Sequence, residues 1–363
     1  MSGPGGDGPE PHPALTTRLC RIAGVRYPVV QTGMGWVAGP RLVAATARAG
    51  ALGILASATM TLAELEAAID DVRSRTDAPF GVNLRTDAVD AAERVELLVG
   101  RNVAVASFAQ APRPDMVERL REAGVVVIPT VGARRHAEKV AEWGVHAVIA
   151  QGAEGGGHTG AVPTTLLLPS VVEAVGERVA VIGAGGFGTG RGLVAALAYG
   201  ADGIAMGTRF LLTQESTVPD SVKARYLATP VTGTVVTTRV DGAPQRVVRT
   251  DVVDHLEGAG RLTALPRAAR NALAFRRQTR TSMRALWREG RAMHHGGDLS
   301  WAQVVMAANA PMMTRAALVE GRADVGILPT GQVVGTIDEL PSVAELVHRI
   351  VAEANDTLAR LGL

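Results

Sequence analysis

The sequence predicts an α/β fold of the (β/α)8 TIM-barrel class, with a mainly helical insertion after the eighth strand. Short apolar, β-branched segments alternate with alanine-rich segments from residue 29 to residue 210, which is the rhythm of parallel βα units. Two glycine-rich segments, GAGGFGTGRG at 183–192 and GIAMGTRF at 203–210, coincide with the seventh and eighth strands of this count. TIM barrels hold their shared phosphate site in the loops after those two strands.

The predicted strands are apolar at nearly every position, as parallel strands covered on both faces are. They are residues 29–31, 52–56, 80–84, 103–108, 125–131, 147–151, 179–183 and 203–210. Helices are predicted between them near residues 40–49, 61–76, 88–99, 114–123, 133–143, 165–176 and 188–199.

The remaining segments are assigned from the residues at which the alternation of strands and helices begins and ends. Residues 1–14 are rich in glycine and proline with nothing to bury, which predicts a disordered tail. The barrel is predicted over 15–218, a helical lid over 219–315, and a return to the barrel over 316–363 that ends in a helix near 341–361. An insertion after strand eight lies on the active-site face, so we expect it to exclude water there.

Composition excludes several classes of protein. The single cysteine, Cys20, allows no internal disulfide, and the pair His294 and His295 lacks a third ligand at useful spacing, so no metal site is predicted. A net charge of +2 without a basic tail argues against nucleic acid. No apolar run approaches the ~20 residues of a bilayer span, and the start lacks a signal peptide. We therefore expect a cytoplasmic enzyme without a membrane partner, whose alanine-rich outer helices are compatible with a homo-oligomer or a monomer.

Loops at the ends of four or more strands are expected to converge on one mouth. They are QTGMGWVAG at 31–39, GVNLR at 81–85, QGAEGGGHTG at 151–160 and the two glycine-rich segments described above. The helix that begins at Gly190 should direct its first amides towards an anion. Any one of these segments could be a turn and nothing more, but the set in barrel order predicts a ligand site.

The composition of these loops predicts a planar, phosphate-bearing cofactor. Gly33 and Gly35 leave room on either side of Met34 for a flat ring to approach the backbone. Asn83 and Gln151 each offer a donor and an acceptor to the polar edge of such a ring.

His158 is the best candidate for an acid or base. It follows three glycines after the sixth strand, and the ordinary pKa of histidine is near neutrality. The alternative is a histidine with a structural role in the loop. Glu154, in the same loop, is expected to be a hydrogen-bonding support and not a second catalytic residue.

At these residues the chain resembles the nitronate monooxygenase-like family of flavin barrels, which includes flavin-containing enoyl reductases. The resemblance covers nearly everything from Thr17 to the C-terminal helix. The matching motifs are Gln31 to Met34, Gly81 to Asn83, Gln151 to His158, Ala184 to Gly186, Met206 to Thr208, and Gly331 with Gln332. The resemblance implies FMN, held by Gly33, Met34, Asn83, Gln151, Gly156, Gly157, Ala184, Gly185, Gly186, Met206, Gly207, Thr208 and Gln332.

Four stretches resemble an actinobacterial subgroup of this family that degrades steroid C and D rings: QTGMGWVAG, LGILASATMT, EGGGHTG and TVVTTRVDG. Gly33 and Gly155 replace the proline and alanine of the nitronate monooxygenases. This resemblance implies oxidation of a hydroxylated methylhydrindanone carboxyl-CoA, with the hydroxyl proton passing to His158 and the hydride to flavin N5. Nitronate oxidation and enoyl thioester reduction remain alternatives, and a flavin-binding barrel without turnover would have little use for this histidine.

The insertion contains a basic stripe. If residues 270–291 are helical, seven arginines share one face: Arg270, Arg276, Arg277, Arg280, Arg284, Arg288 and Arg291. Arg277 and Arg284 are the candidates for binding the phosphates of an acyl-CoA substrate, because a guanidinium contacts phosphate in a bidentate manner. The alternatives are a solvated helix face and an oligomer contact.

Overall fold

The computed structural model describes residues 8–258 and 309–363. Eight parallel strands close into a barrel in the order β1-β2-β3-β4-β5-β6-β8-β9, and β9 pairs with β1 to complete the ring. The barrel strands are β1 Val29–Gln31, β2 Leu52–Ala56, β3 Gly81–Leu84, β4 Val105–Phe108, β5 Val126–Val131, β6 Ala147–Gln151, β8 Ala180–Ala184 and β9 Gly203–Met206. The predicted TIM barrel is confirmed, and the first seven strands lie within two residues of their predicted bounds.

The eighth strand was predicted too long. β9 ends at Met206, and Thr208–Leu211 is a short helix instead of the end of a strand. Gly207 has φ −103° and ψ −69°, which turns the chain out of the extended conformation. Its carbonyl then accepts a hydrogen bond from the Leu211 amide at 2.9 Å.

Helices surround the barrel, and two of them begin with capping boxes that satisfy their first amides. The helices are Arg18–Ala23, Pro40–Arg48, Leu62–Arg75, Ala91–Gly100, Pro114–Glu122, Arg134–Glu142, Thr164–Val175, Gly190–Ala198, Thr208–Leu211, Asp220–Leu227, Asp251–Gly258, Asn309–Leu318 and Val343–Arg360. Among the helices of the described ranges, none combines the length and hydrophobicity that a bilayer span requires.

The core has two layers, because alternate residues of each barrel strand face opposite sides. Ile54, Ile128, Ile149 and Ile182 fill the barrel interior, and the other faces of the strands pack against the helices. Leu19, from the helix Arg18–Ala23, joins the interior layer of packed side chains. The apolar interior makes the barrel a rigid frame for the loops at its mouth.

Residues 8–14 are packed against the rest of the chain, although the sequence predicts disorder there. The Tyr27 hydroxyl donates to the Pro9 carbonyl at 2.8 Å, and the His12 amide donates to Asn355 Oδ1 at 2.9 Å. The Asn355 amide in turn donates to the Glu10 carbonyl at 2.8 Å. Backbone hydrogen bonds to the C-terminal helix therefore hold a segment that has little apolar surface to bury.

The insertion contains a β-hairpin that the sequence analysis did not predict. Its strands, β10 Thr234–Thr237 and β11 Gln245–Val248, pair antiparallel, and β11 also pairs with β7, the two residues Gly157–His158. The hairpin thus extends a loop of the barrel into a three-stranded sheet. The helix Asn309–Leu318 crosses the predicted boundary between residues 315 and 316.

Candidate active site at the barrel mouth

Polar side chains continue the interior faces of the strands at their carboxyl ends. Asn83 and Ser107 lie next to each other there, and Asn83 Nδ2 donates to Ser107 Oγ at 3.4 Å. The Asn83 carbonyl accepts from Ser57 Oγ at 2.6 Å, and all three residues are buried. The apolar barrel interior therefore ends in a polar floor, of which sequence reasoning identified only Asn83.

Gln31 ends β1 and is completely buried. Its side-chain amide nitrogen donates to the carbonyls of Thr32 and Ile54. Its Oε1 atom is buried and accepts no hydrogen bond from the described part of the chain. Because a buried carbonyl without a partner is costly, this atom is an acceptor suited to a donor on a ligand.

The glycines beside Met34 have different roles. A Cβ atom on Gly33 would lie 2.5 Å from the Asn83 Cβ, so this glycine is required by close packing and leaves no open space on that side. A Cβ on Gly35 would make only an ordinary 3.4 Å contact with the Thr59 methyl group. A Cβ on Gly207 would lie 3.3 Å from Met34 Sδ, so the ends of β9 and β1 meet as predicted.

The loop after β8 offers unused amide donors. Gly185 and Gly186 have φ +98° and +81°, a conformation that favours glycine. Within residues 8–258 and 309–363, neither amide donates to a protein acceptor. A Cβ on Gly186 would have no neighbour closer than 3.8 Å, so this backbone is open to a ligand. Consecutive amides of this kind form an anion-binding concavity.

Two of the first three amides of the following helix are already used by the protein, contrary to the sequence expectation. The Gly190 amide donates to Glu353 Oε2 at 2.7 Å, and the Gly192 amide donates to Thr189 Oγ1 at 3.1 Å. A carboxylate from the C-terminal helix therefore occupies the position that we assigned to an anion. The available donors lie earlier, in the loop itself.

Glu154 supports the architecture of the mouth. Its carboxylate accepts from the Thr164 amide at 3.0 Å and from Thr164 Oγ1 at 2.7 Å, which caps the helix Thr164–Val175. The Glu154 carbonyl accepts from the Gln332 amide at 3.0 Å. The Gly331 amide donates to Thr208 Oγ1 at 2.9 Å. Segment 330–332 thus joins the loops after β6 and β9.

Gly156 is the point at which this segment packs most tightly. A Cβ there would lie 2.4 Å from the Thr330 carbonyl carbon and 2.5 Å from the Gly331 nitrogen. Because both neighbours are backbone atoms, neither could rotate away. Gly157, with φ +66°, then begins β7.

His158 is exposed at the mouth and paired with a carboxylate. Its Nε2 atom lies 2.7 Å from Asp241 Oδ2, with 65% of the His158 side chain exposed but only 9% of the Asp241 side chain. The hydrogen bond that His158 donates to the Asp241 carboxylate raises the pKa of His158, against partial desolvation of the ring and the positive charge of Arg85. Burial favours the neutral Asp241 carboxyl and is the largest single effect, but the hydrogen bond to His158, the charge of His158 and the hydrogen bonds from Ala243 and Gln245 together lower the pKa of Asp241. The geometry is that of an imidazole oriented by a carboxylate.

Three further contacts hold the loop of His158 in place. Gln151 Nε2 donates to the His158 carbonyl at 2.7 Å, and the Thr159 amide donates to the Pro244 carbonyl at 3.1 Å. The Arg246 guanidinium, on β11, donates through Nε and Nη2 to the Ala153 carbonyl at 3.2 and 3.0 Å. The hairpin and the barrel loop therefore form one hydrogen-bonded unit.

The mouth brings together most of the predicted site residues. Met206 differs, since its side chain is buried in the outer core and only its carbonyl, which accepts from the Thr32 amide, faces the β1 loop. Ala184 is buried, and its carbonyl accepts from the Gly152 amide at 2.9 Å. The predicted substrate arginines Arg277 and Arg284, like His294 and His295, lie outside the described residues.

Asp241 is the functional candidate that sequence reasoning missed. A signal was present, because Asp241-Gly242 separates two β-branched runs, TVVT and QRVV, and an Asp-Gly pair in that context indicates a hairpin turn. Nothing in the local sequence, however, indicates a partner 83 residues away.

Comparisons with known proteins agree with this architecture. The family model for nitronate monooxygenase matches residues 16–353. Two curated relatives are both named (3aS,4S,5R,7aS)-5-hydroxy-7a-methyl-1-oxo-octahydro-1H-indene-4-carboxyl-CoA dehydrogenase. The protein from Mycobacterium tuberculosis is 60% identical over 94% of this chain and 96% of its own length. That from Rhodococcus jostii is 58% identical over 96% of this chain and 98% of its own. The solved structure of FabK from Thermotoga maritima has a TM-score of 0.76 and 32% identity, covering 95% of this chain and 98% of that one.

Proposed function

The chain belongs to the nitronate monooxygenase family, and on that premise we propose that it is an FMN-dependent dehydrogenase of a hydroxylated methylhydrindanone carboxyl-CoA thioester. The observation that carries the substrate class is the nearly full-length match to two relatives named for that reaction. The exposed imidazole of His158 at the barrel mouth supports the reaction type, since oxidising an alcohol requires a group that accepts its proton.

The residues of the mouth fit FMN. The Gly185 and Gly186 amides would hold its phosphate together with the loop of Gly207 and Thr208. Gln31 Oε1 has no hydrogen-bond donor within the described ranges and would accept from the polar edge of the ring. When bound there, FMN supplies the two-electron acceptor for the hydride of the carbinol carbon.

His158 accepts the proton of the substrate hydroxyl. With Nε2 hydrogen-bonded to Asp241, the remaining ring nitrogen, Nδ1, is the atom for this transfer in the neutral imidazole. The O–H bond breaks as the carbonyl forms, and the carbinol carbon loses its hydrogen with both bonding electrons. The product is a ketone, and the proton stays on His158 until solvent removes it.

The hairpin contributes by covering one side of this site. Its strand β11 pairs with Gly157 and His158, so the backbone of the loop is satisfied by protein instead of water. Asn83 and Ser107 keep the floor polar but buried. We infer that these residues limit water at the reacting carbon, where it would compete with the transfer.

Nitronate oxidation is the second candidate, favoured by the family model. With a neutral nitroalkane, the same imidazole would first accept the proton of the carbon next to the nitro group, which leaves the nitronate to be oxidised. Reduction of an enoyl thioester requires the opposite direction of hydride transfer and a separate electron donor. The three reactions can be distinguished by the compound that changes the flavin spectrum in the absence of oxygen.

An anaerobic visible spectrum of the purified FMN-loaded protein tests the proposal. We expect the hydroxylated carboxyl-CoA thioester to bleach the oxidised flavin band. The His158→Gln variant should bind FMN but bleach about 10²- to 10⁴-fold more slowly, the usual contribution of a general base. A band that persists with the thioester but bleaches with an alkyl nitronate would reject the dehydrogenase assignment in favour of the alternative.

A further inference from the structure

The hairpin turn brings a carboxylate to the catalytic histidine from outside the barrel. We propose that Asp241 is a positioning residue that fixes the tautomer and orientation of His158, so that the post-barrel hairpin is part of the catalytic machinery. This inference rests on the proposed role of His158 as the base. The inference gives the hairpin, which is not part of the barrel fold, a role in the reaction.

The Asp241 carboxylate is held at both oxygens. Oδ2 lies 2.7 Å from His158 Nε2, and Oδ1 accepts from the Ala243 amide at 3.1 Å within the hairpin turn. Its side chain is 9% exposed, whereas that of His158 is 65% exposed. The buried partner is thus fixed by the turn, and the exposed ring is the group that it orients.

The register of the strands limits movement between the two groups. His158 pairs with Gln245 and Gly157 pairs with Arg246. Because Asp241 lies four residues before Gln245, the paired backbone sets the distance from its carboxylate to the ring. Ion pairs on a protein surface usually lack such a backbone constraint and contribute little to stability.

The hydrogen bond to Asp241 determines which ring nitrogen of His158 can act as a base. A carboxylate only accepts hydrogen bonds, so a neutral His158 must carry its proton on Nε2 and its lone pair on Nδ1. In the Asp241→Asn variant, the Ala243 amide still requires the side-chain oxygen, which directs the NH2 group at His158. The ring then accepts at Nε2 and carries its proton on Nδ1, the wrong tautomer for the transfer.

Ring ¹⁵N NMR of the histidines in the full chain tests this directly, with His158→Gln used for assignment. In the unsubstituted protein we expect neutral His158 to be protonated at Nε2, with a pKa above its usual value. In Asp241→Asn we expect protonation at Nδ1 and a lower pKa, because the carboxylate charge is gone while the positive charge of Arg85 still acts on the ring. Asp254→Asn, at an exposed pair with Arg249 on the same insertion, is the matched control and should leave the spectrum of His158 unchanged.

Anaerobic flavin reduction by the thioester supplies the second readout. Asp241→Asn should reduce its flavin about a hundredfold more slowly or worse, with thioester affinity and thermal midpoint nearly unchanged. Asp241→Glu, which keeps the charge, should recover part of the rate and the Nε2 tautomer. Protonation at Nδ1 in the unsubstituted protein would overturn the proposal, as would an Asp241→Asn variant with an unaltered tautomer and rate.

The two readouts separate this inference from the proposed function. If the thioester fails to reduce the flavin of the unsubstituted protein, the substrate assignment fails. The tautomer and pKa of His158 still report whether Asp241 orients it. If Asp241→Asn does not fold, the spectra of the unsubstituted protein and of Asp241→Glu decide the question.

Discussion

The barrel strands and the insertion hairpin hold functional residues in different ways. Every residue of β2 and β8 is buried, and each of these strands has a paired neighbour on both sides. In β10 only Thr237 is buried, Val236 is 42% exposed, and within residues 8–258 and 309–363 the strand pairs with β11 alone. Burial on both faces therefore fixes the barrel, whereas the hairpin combines a small separate cluster around the buried Val240 and Val247 with hydrogen bonds to a barrel loop. The stability of the barrel and the geometry around His158 therefore depend on different contacts.

Substitutions in the two regions should differ most in their effect on the free energy of unfolding. Leu55→Ala removes a fully buried side chain of β2 and should lower the free energy of unfolding by about 2–5 kcal/mol, through lost apolar burial and a residual cavity. Val236→Ala, on the exposed edge of the hairpin, should change it by less than about 0.5 kcal/mol. Denaturant titration followed by circular dichroism measures both, and equal losses would mean that the hairpin carries as much of the fold as the barrel.

The His158 loop packs against segment 330–332 where the barrel and the hairpin meet. Gly156→Ala places a Cβ against the backbone of Thr330 and should cost about 1–3 kcal/mol of stability, with faster release of bound flavin, since the two segments must separate. Thermal midpoints and the rate of flavin release on dilution measure these effects.

Gly160→Ala is the matched control, four residues further along the same loop. Its nearest neighbour would be the Gly132 carbonyl oxygen at 3.6 Å, an ordinary contact. It should therefore behave like the unsubstituted protein. Equal losses in the two variants would show that general loop flexibility, and not the packing at Gly156, retains the cofactor.

The local sequence pattern was sufficient to predict the barrel strands but not all residues of the candidate site. The run LGILA of β2 was predicted to the residue because burial on both faces leaves a continuous apolar signature. The end of β9 was missed because Gly207 turns the chain into a short helix, Thr208–Leu211, whose side chains remain buried. The anion donors were placed at Gly190 because nothing near it in sequence reveals the Glu353 carboxylate that caps it. Asp241 was missed for the same reason, since its role depends on a distant partner.

The pH dependence of stability gives the smallest expected effect and tests the pair itself. The folded-state pKa of His158 is raised, so its contribution is complete below the unfolded value of about 6.5 and is lost as pH rises through the folded value. The pKa of Asp241 is lowered, so its contribution is present above about 3.9 and is lost as pH falls through the folded value.

The stability difference between the unsubstituted protein and Asp241→Asn should therefore peak near pH 5–6. Its pH-dependent part should stay below about 1 kcal/mol, because the exposed His158 side chain is screened by solvent. Leu55→Ala, which changes no titrating group, should cost the same at every pH and serves as the reference. A difference that instead grew above pH 7 would mean that the pair is not charged in the folded protein, and that Asp241 acts on the hairpin turn alone.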